Sequence, residues 1–96
     1  MRLKISKSNL KTKKYKAEFF KENEKVKTTH FGAKGMSDYI ENKDKMRRTN
    51  YRKRHKKDLR TNDPTRAGYL SYYILWGSST DLILNIKKYK SKFNFK

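Results

Sequence analysis

Ninety-six residues, with 27 Lys or Arg against nine Asp or Glu, carry a formal net charge of +18. That is one domain with one core, and a chain that repels itself on compaction unless a polyanion relieves the charge. The absence of cysteine excludes a disulfide framework and a thiolate zinc site and points to the cell interior. The longest apolar run, Tyr72 to Trp76, is far too short for a bilayer span, so a soluble protein with no membrane partner is expected.

The first third alternates as strands do: Leu3 and Ile5, then Tyr15, Ala17 and Phe19, then Val26 and Thr28. Polar turns at Ser8-Asn9 and Glu22-Asn23-Glu24 separate them, which predicts an antiparallel meander over residues 1–30. The segment from His30 to Tyr39, with Gly32 and Gly35, breaks both periodicities and reads as the joint between sheet and helices, Ser37 serving as a cap. Lys34 between the glycines is a candidate phosphate contact beside a backbone nest, against the plainer reading of a left-handed turn.

From about Asp44 to Arg60 no Gly or Pro intervenes, and Tyr51, His55 and Leu59 fall on one helical stripe, expected to face the sheet. Ten Lys or Arg lie between Lys43 and Arg60 against Asp44 and Asp58 alone. On a wheel Lys45, Arg52, Lys53, Lys56 and Arg60 share an arc of about 100°. With Arg48 and Lys57 they form the candidate nucleic-acid-binding face, because a solvated face ordinarily mixes signs to avoid i, i+4 repulsion.

Asn62-Asp63-Pro64 signals a helix of about Pro64 to Trp76, capped by Asp63 and apolar around most of its circumference, hence the innermost element. Tyr69, Tyr73 and Trp76 lie on one side of it, a packing pattern more than a base-stacking one. Gly77 ends it. Leu82, Ile83, Ile86, Tyr89 and Phe93 then mark a last amphipathic helix that runs into a fraying basic end, Lys90 to Lys96.

The overall expectation is an α+β fold, a single domain with a small N-terminal sheet of about three strands packed against three C-terminal helices. His30 and His55 are the only histidines. Without cysteine they supply no closed metal site, and no nucleophile stands at a known spacing from His30 and Asp38, so neither an enzyme nor a cofactor is expected.

The segments HFGAKGMSDY and NYRKRHKKDLRTNDPTRAGYLSYYILW, with the terminal helix, cover most of residues 30 to 93. Together they resemble a family of small basic proteins encoded by large DNA viruses. That resemblance implies a viral origin, in the virion or the infected cell, and transfers no catalytic residue; Gly77-Ser78-Ser79 stands where many relatives carry a proline. The function expected is sequence-nonspecific binding of nucleic acid, DNA ahead of RNA, in genome condensation or packaging. The alternative is a structural or assembly protein, self-associating or meeting an acidic protein surface.

Overall fold

The computed structural model describes residues 1–96. Three strands, β1 (Arg2–Lys7), β2 (Lys13–Lys21) and β3 (Glu24–Ala33), form an antiparallel meander in the order β1-β2-β3. Leu3 stands opposite Phe19, Ile5 opposite Ala17 and Tyr15 opposite Phe31, so one sheet face is apolar and packs on the helices. Glu22 and Asn23, both left-handed (φ 52° and 65°), close the β2–β3 hairpin in the primed-turn geometry that matches strand twist.

β3 departs from the expected alternation. Phe19 pairs with Lys27 and Phe20 with Lys25, which leaves Val26 bulged out and 53% exposed. The core residue of this strand is Phe31, beyond the predicted end of the sheet, and Thr28 lies opposite Glu18. The joint therefore begins about four residues later than expected. Gly32 is left-handed (φ 80°), and a Cβ there would stand 2.8 Å from Leu75 Cδ1, so both backbone and packing require glycine.

Four α-helices follow in place of three. Helix α1 (Tyr39–Asn42) is capped by Asp38, which accepts from the Glu41 amide; Ser37 instead accepts from the Asn42 and Arg47 side chains. Helix α2 (Lys45–His55) starts at Asp44, whose carboxylate accepts from the Met46 and Arg47 amides. It stops at His55 and tightens into a 3₁₀ segment, Lys56–Thr61. The Tyr51 stripe meets Trp76 and the third helix, not the sheet: the two rings stack at 4.3 Å with 8° between planes.

Asp63 opens an Asx turn with Thr65, delaying helix α3 (Ala67–Leu70) by three residues, and α3 widens into a π turn, Ser71–Leu75, closed by Trp76 N–H to Ser71 O at 3.0 Å. Leu70, Ile74 and Leu75 are buried, as expected of the innermost element. Gly77 follows it, at a position where any Cβ would strike Tyr73 O. Helix α4 (Leu82–Phe93), capped by Asp81, lays Ile86, Tyr89 and Phe93 on the core. Buried Asn85 donates to Ile74 O and Ser79 O and accepts from the Ser79 amide, satisfying the carbonyls left open where the π turn ends.

The basic C-terminus is not frayed. Asn94 turns left-handed, Phe95 packs on Phe19 with centroids 5.3 Å apart, and Lys96 pairs with both Met1 and Leu3 along the free edge of β1. Apolar burial of one aromatic ring and two backbone hydrogen bonds outweigh the local charge. No helix is long and apolar enough to cross a membrane.

Candidate nucleic-acid interface

The candidate cations divide into two groups. Lys45 and Lys53 on α2, and Lys56, Lys57 and Arg60 on the 3₁₀ segment, are exposed. They do not keep the predicted common arc, because beyond His55 each residue turns about 120° instead of about 100°. The basic surface consequently spreads around the end of α2. Lys34 is exposed too, but its amide donates to Thr12 O at 3.0 Å, so no anion nest forms there.

Arg48 and Arg52 are turned inward. Arg52 donates to Tyr72 O (3.0 Å) and Trp76 O (2.8 Å) with its guanidinium 3.9 Å from the centre of the Tyr72 ring. Arg48 donates through Nε to Gly77 O at 2.7 Å. Both satisfy carbonyls at the end of the π turn, the place where a helix favours a cation. Burial draws the Arg52 pKa below its ordinary value, yet a guanidinium starts high enough to stay charged at neutral pH. As phosphate contacts these two arginines are corrected to positioning residues.

The other side of α2 faces a cleft of about 900 Å³ between the helix and the Gly32–Met36 turn. Arg47, Asn50 and Arg54, spaced i, i+3 and i+7, line it, with Lys13 across from them on β2. Wheel arithmetic places these three nearly opposite the predicted arc, and their spacing was the signal for a second polar face. Phe31, Leu75 and Trp76 also line the cleft. Tyr51 stacks on both Trp76 and His55, the second at 4.2 Å, and burial pushes its phenol pKa up.

Each histidine has a side-chain partner. His55 Nδ1 lies 3.1 Å from Asp58 Oδ2, and His30 Nδ1 lies 2.8 Å from Ser8 Oγ, away from Asp38. Asp38 is bound instead by Lys14 at 2.8 Å. Burial opposes the Lys14 charge, but hydrogen bonds to Asp38 and Glu41 outweigh it and hold the pKa above its ordinary value. No three His, Cys, Asp or Glu side chains converge in a way that could hold a metal ion.

Residues 3–55 match a family described as "Family of unknown function (DUF5754)". The chain belongs to this family. The matched region takes in the whole sheet, the glycine joint and α2, and ends where the 3₁₀ segment begins, so the cleft's α2 wall and its β2–β3 wall both fall within it. The family description states no activity, ligand or source. No curated protein and no solved structure matches the chain.

Proposed function

We propose that this protein binds nucleic acid, DNA ahead of RNA, through sequence-independent contacts to phosphate. The observation that supports this is the shortage of internal partners for its cations. Of 27 Lys and Arg, only Lys14, Lys25 and Arg66 lie within 4.0 Å of a carboxylate, which leaves 24 without one. A surface of mixed sign does not look like this, whereas a phosphate backbone supplies the missing charge and releases its own condensed counterions on binding.

Exposed Lys45, Lys53, Lys56, Lys57 and Arg60 make the principal contacts, joined by Arg47 and Arg54 at the cleft mouth, while Arg48 and Arg52 fix α2 to the core. In the large DNA viruses to which the resemblance points, such binding would condense or package a genome. A second reading, an assembly protein, is favoured by Ile83 and Leu84, which are 61% and 41% exposed on α4.

Gel retardation of duplex DNA over a series of salt concentrations tests the choice. Retention that weakens steeply with salt, with nucleic acid copurifying, supports binding. Absence of retention at low salt, together with an oligomer that dissociates on Ile83→Lys, would favour assembly.

A further inference from the structure

The cleft beside α2 has features that nonspecific duplex binding does not use. Its volume, about 900 Å³, falls within the range of small-molecule sites, about 300–1,000 Å³. Apolar and aromatic side chains, Phe31, Leu75 and Trp76, line it, while its remaining lining includes the cations Lys13, Arg47 and Arg54, and the carboxylates Asp38 and Asp58 already engaged by Lys14 and His55. None of those three cations is paired with a carboxylate. A duplex presents its phosphates on a convex surface with its bases stacked inside, so it has nothing to place in an aromatic-lined cavity. A strand with an unpaired base does.

We infer that the cleft receives one unpaired nucleobase of a bound strand, with Lys13, Arg47 and Arg54 holding the flanking phosphates. This rests on the nucleic-acid reading and adds a preference to it. The stacked column His55–Tyr51–Trp76 supplies the aromatic wall. The His55 side chain is 37% exposed and gives the base a surface to lie against. Exposed Asn50, with an amide that both donates and accepts, stands at the mouth to meet a base edge. Charge complementarity favours a nucleotide because cations and apolar surface occur in the same cavity. A run of acidic residues alone satisfies only the cations.

Trp76 is the only tryptophan in the chain and lines the cleft, so its emission reports entry directly. The experiment titrates the full chain with a short oligothymidylate, the same strand with abasic residues, a duplex of equal length and poly-L-glutamate, at one salt concentration. The expected result is a saturable change in Trp76 emission with oligothymidylate only. Affinity for it should exceed that for the abasic strand about tenfold, the order of one base stacked on an aromatic surface.

Ala67→Leu, which fills the cleft from α3, should abolish both the emission change and the tenfold preference while leaving duplex retention intact. Arg54→Ala, on the exposed side of α2 where folding is not at risk, should weaken the oligothymidylate several-fold more than the duplex. Equal affinity for the intact and abasic strands with unmoved emission overturns the cleft proposal alone. Displacement of oligothymidylate by poly-L-glutamate at equal charge also overturns it, in favour of an acidic peptide. Failure of every nucleic acid to bind removes the reading beneath it as well.

Discussion

Helix α2 with its 3₁₀ extension and the shorter α3–π segment are neighbours in the chain, and they are built on opposite terms. The first carries nine Lys and Arg residues between Lys45 and Arg60 and has no buried residue. The second buries Tyr69, Leu70, Tyr72, Ile74 and Leu75 and has no charge between Ala67 and Leu75. The proposed binding belongs to the first and stability to the second, with Arg48, Tyr51 and Arg52 reaching across to join them. If that division is right, substitutions on the two sides move different observables.

The largest effect on stability is expected at Trp76, 9% exposed and stacked on Tyr51. Trp76→Ala should cost about 3–5 kcal/mol, read from denaturant unfolding, and weaken duplex DNA binding only as the folded fraction falls. A folded variant with unchanged unfolding midpoint would erase the contrast between the two regions. Next comes Arg52→Ala, which leaves the Tyr72 and Trp76 carbonyls without their donor and should cost about 2–3 kcal/mol. Arg52→Lys should recover only part, since a lysine cannot reproduce the planar fork. Loss of DNA affinity from Arg52→Ala without loss of stability would return this residue to the phosphate-binding group.

A smaller effect is set by pH. Burial, first among the causes, raises the phenol pKa of Tyr89, as it does those of Tyr51 and Tyr73. A raised folded-state pKa contributes stability that is complete below the unfolded value, about 10, and is lost as pH rises through the folded one. Unfolding midpoints should therefore hold to about pH 10 and fall above it, less steeply in Tyr89→Phe. A midpoint that rises with alkali would contradict that sign.

The smallest stability change is expected from Lys53→Ala with Lys56→Ala, within about 0.5 kcal/mol, yet this pair should flatten the slope of log affinity against log salt by roughly 2. Lys7→Ala with Lys11→Ala removes the same charge from exposed positions at the β1–β2 connection. Equal flattening by both pairs would make binding a property of net charge, with no special role for α2.

The sheet, the order of elements and the buried third helix follow from patterns within a few residues of each other, which is why alternation and turn residues revealed them. The Val26 bulge did not, because it depends on how β2 and β3 twist against each other. Nor did the change to 3₁₀ at Lys56, where no Gly or Pro marks the break. A helical wheel gives the angle of Arg52 but not the carbonyls waiting at that angle, so a residue assigned to solvent proved to be turned inward. The cleft was invisible for the same reason: Arg47 and Arg54 acquire their setting from Gly32, Leu75 and Lys13, which are distant in sequence.

Coating a polyanion crowds many copies of a protein along one track, where unpaired strand edges invite neighbours to add on and grow into fibres. Each edge of this sheet is obstructed along part of its length. Lys96 pairs with Met1 and Leu3 at one end of β1, and Thr65 meets the side chains of β3, accepting from Thr29 Oγ1 through its carbonyl and from Lys27 Nζ through its hydroxyl. If the proposed binding loads a strand densely, the copies should thus stay separable, held in file by the phosphates and not by one another, and free to come off when salt is raised.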